Sequence, residues 1–220
     1  MPDQTTRLFA IRHGEAAWNA GARMQGQLDV ELNETGRWQA GRLVLALADE
    51  GLAAVYSSDL LRARQTAEAV GRAAGLPIVT DPGLRECSFG VFEGHTYAEI
   101  DARWPEQALR WRQRDPSFGP DGGETLNDFY ARSVATVARL AARHPGQAIA
   151  LVTHGGVLDC LYRAASRIAL QGPRTWRLGN ASINRLLYTR GGFTLVGWSD
   201  NFHLEGSALD EAGDAMERAA

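Results

Sequence analysis

The run Ala148-Ile149-Ala150-Leu151-Val152 is apolar at every position. A strand with one wet face alternates apolar and polar side chains, so an unbroken run of this kind belongs to a strand covered on both faces, at the centre of a parallel sheet. Leu8-Phe9-Ala10-Ile11 reads the same way, and shorter runs follow at Ala53 to Tyr56 and Pro77 to Val79. Patterns of helical period separate these runs. The order β, α, β, α, β predicts an α/β fold, a three-layer α/β/α sandwich on a mostly parallel central sheet with a small inserted cap.

The helices carry their own punctuation. Asn33 can cap a helix running to about Glu50, with Gly51 as its stop, and Ser58 or Asp59 can open another that ends at Gly75. Thr96 and Glu99 have capping-box spacing for a short helix that must stop near Trp104, ahead of Pro105. Thr125 and Asp128 open a longer helix whose Leu126, Phe129, Val137, Leu140 and Ala141 fall largely on one face; Trp38 is also expected in the core. A further helix runs from about Gly156 to Ile168, and Gly191-Gly192 between two β-rich stretches predicts a hairpin with a primed turn.

A single domain is expected over 1–204, with an insert at about 84–124 and an acidic tail at 205–220. The tail holds Glu205, Asp210, Glu211, Asp214 and Glu217 against Arg218, and too few large apolar residues to pack firmly. All 23 basic side chains are arginines. Without an ε-amine, Schiff-base chemistry, pyridoxal phosphate anchoring and a P-loop lysine are excluded. A net charge of −3 gives no reason to expect nucleic acid or a membrane surface as partner. Cys87 and Cys160 cannot form a disulfide framework, no cluster has metal-ligand spacing, and the N-terminus lacks a basic segment followed by an apolar one. A cytoplasmic protein with no metal and no cofactor is the expectation; the oligomeric state is open, with a homodimer among the options.

Chemistry concentrates at the strand ends. The first strand runs into Arg12-His13-Gly14-Glu15, and the apolar strand at 148–152 delivers His154-Gly155-Gly156. Open α/β sheets bind ligands at the carboxyl ends of their strands, so the two histidines can face each other there.

Six segments occur in a fixed order: RHGEAAWN from Arg12, MQGQLDVELNETG from Met24, YSSDLLRARQTAE from Tyr56, LRECSFGVFEG from Leu84, GGET from Gly122 and VTHGG from Val152. Together they resemble the histidine phosphatase superfamily, which contains cofactor-dependent phosphoglycerate mutase, and the likeness spans about Arg7 to His203. It implies that His13 attacks phosphorus to give a phosphohistidine, with Arg12, Arg62 and His154 around the phosphoryl group. Asn19, Gln25 and Gly26 would complete the phosphate pocket, and Glu86 would be the acid/base, a carboxyl group of raised pKa. Forked guanidinium groups suit phosphoryl oxygens, and a protonated His154 would add positive charge in the transition state.

The insert, WRQRDPSFGPDGGET, resembles the shorter insert of the broad-specificity and α-ribazole phosphatases rather than that of the mutases. The expected activity is metal-independent hydrolysis of small phosphate monoesters. The alternatives are cofactor-dependent phosphoglycerate mutase and a non-catalytic phospho-ligand binder. Trp104, Trp111 and Phe118 are candidates for an apolar entrance, and Arg110, Arg112 and Arg114 for binding acidic substrates. Ala16 stands where many relatives have serine or threonine.

Overall fold

A computed structural model describes residues 5–19 and 23–205. The expected tail from residue 206 onward lies outside the described residues. Six strands form one mixed sheet: β1 (Thr6–Arg12), β2 (Leu52–Ser57), β3 (Ile78–Thr80), β4 (Ala148–Thr153), β5 (Ile183–Thr189) and β6 (Gly192–Asp200), in the order β3-β2-β4-β1-β5-β6. The pairings β2–β3, β2–β4 and β1–β4 are parallel, whereas β5 joins β1 antiparallel and pairs with β6 as a hairpin. The helices are α1 (Glu34–Leu47), α2 (Leu61–Ala74), α3 (Tyr97–Arg103), α4 (Pro105–Arg112), α5 (Leu126–Ala141) and α6 (Gly155–Ser166). None of the described helices is long and apolar enough to cross a membrane.

The apolar strands sort their side chains into two cores by parity. Phe9, Ile11, Ala150 and Val152 pack with Leu43 and Leu47 of α1 and Val70 of α2. Leu8, Ala10, Ile149 and Leu151 pack on the other face with Val137 and Leu140 of α5 and Leu158 and Leu161 of α6. Every residue of β4 is buried. Each Val, Leu or Ile so enclosed contributes about 1.5–3 kcal/mol, which explains why the sequence there admits no polar alternation. A smaller cluster of Met24, Phe92, Ile100 and Ala108 lies beneath α3 and α4.

Several local expectations need correction. Trp38 is 41% exposed, because α1 buries Gly36, Ala40, Leu43 and Leu47 and its helical phase turns position 38 outward. Ser58 and Asp59 do not cap α2: Asp59 takes Arg85 in a two-pronged ion pair, and the Leu61 N–H donates instead to Asp29 Oδ1 at 2.6 Å. Pro105 ends α3 and also occupies the first turn of α4, where its missing N–H costs nothing. The hairpin turn is not primed. Thr189 pairs with Gly192 across Arg190 and Gly191, and the positive φ falls at Gly192 (117°) rather than within the turn. Asn33, Thr96 and Thr125 cap as expected, and Gly75 closes α2 in the left-handed conformation.

Candidate active site

In the β1–β4 register Arg12 stands opposite Thr153, so both strands end at the same level. The His13 N–H extends the ladder by donating to the Thr153 carbonyl at 2.9 Å. The two histidines that follow are thereby held face to face, with ring centroids 5.1 Å apart and planes tilted by 58°. Both are buried, His13 at 4% exposure and His154 at 0%.

His13 Nδ1 lies 2.7 Å from the Gly14 carbonyl. A carbonyl only accepts, so Nδ1 carries the proton and Nε2 keeps its lone pair. Burial, then Arg62, then Arg12 hold the His13 pKa well below its ordinary value, so the ring is neutral at physiological pH. Gly14 is required here, since a Cβ would sit 2.5 Å from the Gly36 carbonyl oxygen at the start of α1.

His154 is also driven well below its ordinary pKa, by burial, Arg62, His13 and Arg12. These surroundings favour a neutral ring, not the protonated form that would add charge in the transition state. Neither ring nitrogen of His154 has a hydrogen-bond partner among the described residues. Burying such groups unpaired is costly, and a site that does so is suited to a ligand that supplies the partner.

Arg62 occupies the second position of α2 and is 1% exposed. It donates to the carbonyls of Gly26 (2.7 Å) and Leu28 (2.8 Å), while its Nε has no partner among the described residues. Burial depresses its pKa to about 10, which leaves it charged at neutral pH. The loop it grips is further set by Glu93, whose Oε1 accepts from the N–H groups of Gln27 (3.0 Å) and Phe89 (2.9 Å). Gly26 has φ +52°, and a Cβ there would fall 2.1 Å from the same Glu93 oxygen. Arg12 donates to the Leu178 carbonyl, and its Nε likewise has no partner among the described residues; burial lowers its pKa, opposed by Glu86.

Glu86 hangs from two backbone donors, Cys87 N–H at 2.9 Å and Gly156 N–H at 3.0 Å. The second of these belongs to the first turn of α6, whose positive end faces the carboxylate. Gly156 makes room for Glu86 rather than for a ligand, since a Cβ there would lie 2.1 Å from Glu86 Oε1. The GGET block acquires a physical role beside it. Glu124 pairs with Arg132 at 2.7 Å and accepts from Ser88 N–H, while Arg132 donates to the carbonyls of Gly83, Arg85 and Glu86. This brace fixes the loop that presents Glu86. Cys87 and Cys160 are buried, and burial raises both thiol pKa values.

Arg12, His13, Asn19, Gln25, Gly26, Arg62 and Glu86 line one open cavity of about 620 Å³; His154, fully buried, is not among its lining residues, and its ring packs against that of His13. The side-chain oxygen of Asn19 accepts from Ala16 N–H at 2.8 Å, and Gln25 Oε1 is buried with no partner among the described residues. Of the proposed entrance residues Trp111 and Arg114 reach the cavity; Trp104 and Phe118 pack elsewhere, and Arg110 and Arg112 pair with Asp115 and Asp101. His203 lies in a separate surface pocket with Arg42 and Phe202. Sequence reasoning missed the segment carrying Arg174, Trp176 and Arg177. The fold brings it there: β5 runs antiparallel to β1, with Ile183 opposite Ile11, so the chain entering β5 crosses the edge where β1 ends.

The match to the family model "Histidine phosphatase superfamily (branch 1)" covers residues 8–201. This chain belongs to that superfamily and is an enzyme of the phosphatase class. It is similar to the glucosyl-3-phosphoglycerate phosphatase of Mycobacterium tuberculosis (strain ATCC 25618 / H37Rv), at 40% identity over 189 residues, 82% of this chain and 84% of that one. It is also similar to the phosphoglycerate mutase-like protein 4 of Arabidopsis thaliana, at 37% identity over 218 residues, 97% and 93% of the two chains. Among solved structures, Bacillus stearothermophilus YhfR superposes with a TM-score of 0.84 at 35% identity, covering 91% of this chain and 100% of that one.

Proposed function

We propose that this enzyme hydrolyses small-molecule phosphate monoesters through a phosphohistidine on His13, without a metal ion. The observation that carries this reading is the pinned tautomer of His13: Nδ1–H donates to Gly14, so Nε2 holds the lone pair in the field of the buried Arg62 and the partly buried Arg12. In the first step Nε2 attacks phosphorus and the bond from phosphorus to the ester oxygen breaks. Glu86 gives its proton to the departing oxygen. In the second step water attacks the phosphohistidine, Glu86 takes a proton from the water, and the N–P bond breaks to restore His13 and release phosphate.

Arg12, Arg62 and His154 hold the three nonbridging oxygens, with Asn19, Gln25 and the Gly26 loop around them. The Nε–H groups of both arginines and the His154 ring, whose nitrogens are both bare, have no partner among the described residues. A neutral His154 still offers one N–H. The charge that a metal would otherwise provide comes from guanidinium groups fixed before substrate arrives, where preorganised donors are most effective. Hydrolysis is favoured over mutase chemistry by the similarity to a phosphatase at 40% identity and by the short insert.

The test is to quench turnover of p-nitrophenyl phosphate and look for acid-labile, base-stable phosphate on the protein. Labelling of wild type and none of His13→Ala supports the mechanism; equal labelling of both removes it. Activity lost to a chelator and restored by a divalent cation would refute the metal-free part, and conversion of 3-phosphoglycerate dependent on 2,3-bisphosphoglycerate would favour the mutase.

A further inference from the structure

Six arginines and two carboxylates line the cavity. A bound phosphate monoester dianion leaves an excess of positive charge, and the arginines are not equivalent. Arg12 and Arg62 lie at the phosphoryl site. Arg23 is tied to the Gly94 carbonyl and Glu99, and Arg114 to the Leu170 carbonyl and Asp159. Arg174 and Arg177 have no ion pair or side-chain hydrogen bond among the described residues, and both are exposed at the rim.

The segment that carries them is irregular but firmly held. Arg163, 1% exposed, donates to the carbonyls of Ala169 and Gly172 and to Asp159. Trp176 stacks on Tyr162 with centroids 4.0 Å apart and planes 20° apart, and the Arg163 guanidinium lies 4.8 Å from its ring. At Arg177 and just after it the backbone is anchored, since Trp198 Nε1 donates to the Arg177 carbonyl at 2.9 Å and Arg12 donates to that of Leu178. A loop fixed by a buried arginine and an aromatic stack presents two uncommitted cations at the mouth of a phosphate site. Its field also reaches the floor, because Arg174 is among the charges that disfavour protonation of Arg12.

We propose that Arg174 and Arg177 form a second anion subsite, which selects phosphate monoesters whose leaving group bears a carboxylate or another phosphate. This inference rests on the phosphatase reading and adds the residues that choose among esters. The subsite is solvent-exposed, so its contribution is modest per charge and falls with ionic strength.

The experiment compares kcat/KM for 3-phosphoglycerate and glycerol 1-phosphate, three-carbon esters that differ in the carboxylate. Wild type is expected to favour 3-phosphoglycerate about tenfold at low salt, and R174Q/R177Q to lose most of that ratio through KM. Arg110→Gln, which removes a charge outside the cavity, keeps the wild-type ratio. An unchanged ratio in the double variant, or no preference in wild type, overturns the subsite. If wild type turns over no ester, the phosphatase reading fails, and the subsite is then judged by calorimetric binding of 3-phosphoglycerate. A Kd about tenfold weaker in R174Q/R177Q supports it; an equal Kd removes it.

Discussion

The floor and the rim of the cavity use the same residue type in opposite ways. On the floor Arg62 is buried, its pKa is depressed, and its Nε has no partner among the described residues. At the rim Arg23 is exposed and paired with Glu99, while Arg174 and Arg177 stand in solvent. Charge held out of water acts strongly on whatever anion enters and is little screened, whereas charge at the surface is weakened by water and salt. The floor is therefore suited to stabilising a transferring phosphoryl group, and the rim to choosing which ester arrives. Perturbing each part should yield losses of different size and kind.

The largest loss is expected at the floor. His13→Ala removes the nucleophile and should lower kcat by about ten-thousandfold or more, with Tm little changed. Steady-state turnover of p-nitrophenyl phosphate measures it. A loss under tenfold would mean that water attacks the substrate directly and that the pinned Nε2 has another use.

Glu86→Gln ranks next. It keeps only one of the two hydrogen bonds, since Cys87 N–H reaches Oε1 and Gly156 N–H reaches Oε2 and an amide nitrogen cannot accept, and it cannot give or take a proton. Loss of general acid catalysis is worth about a hundred- to ten-thousandfold for an alkyl ester such as glycerol 1-phosphate, and less for p-nitrophenyl phosphate, whose leaving group departs without help. Equal losses on the two esters would reduce Glu86 to a positioning group.

What could be read from the sequence follows the same division. His13 and His154 were legible because apolar strands announce their own ends and in-register parallel strands end together. Arg62 and Glu86 were legible through the ordered segments around them. Arg174, Trp176 and Arg177 were not, because an irregular segment held by Arg163 and an aromatic stack has no period to detect. Asp29 as the partner of the first N–H of α2 was equally hidden, since nearby Ser58 and Asp59 satisfy the local rule while the fold supplies a carboxylate from a distant loop. Trp38 failed for another reason: size suggested core, and helical phase decided otherwise.

The buried histidines also make the floor sensitive to acid. For His13 and His154 the folded pKa lies well below the ordinary 6.5, so between the two values the unfolded chain binds more protons. Stability is then fully present above about pH 6.5 and declines as pH falls toward the folded values. His154→Asn should flatten that decline, measured as the difference in Tm between pH 7.5 and 5.0. For the same reason kcat/KM should keep its neutral nucleophile below pH 6.5, with an acid limb lower than that of an ordinary histidine. An acid limb at 6.5 or above would show that His13 is not held neutral by its surroundings.

The smallest effect should come from Trp176→Leu, which joins the two regions. The substitution removes the stack on Tyr162 and the ring beneath Arg163 but leaves every floor residue in place. Stability should fall by about 1–2 kcal/mol, the scale of an aromatic pair and a cation–π contact. A loosened segment spreads Arg174 and Arg177 over more positions, so preference for 3-phosphoglycerate over glycerol 1-phosphate should drop about threefold. Turnover of p-nitrophenyl phosphate at saturation should move less than that ratio. If kcat falls as far as the ratio does, the segment supports the floor through Arg12 and Leu178, and selection and catalysis are one structure rather than two.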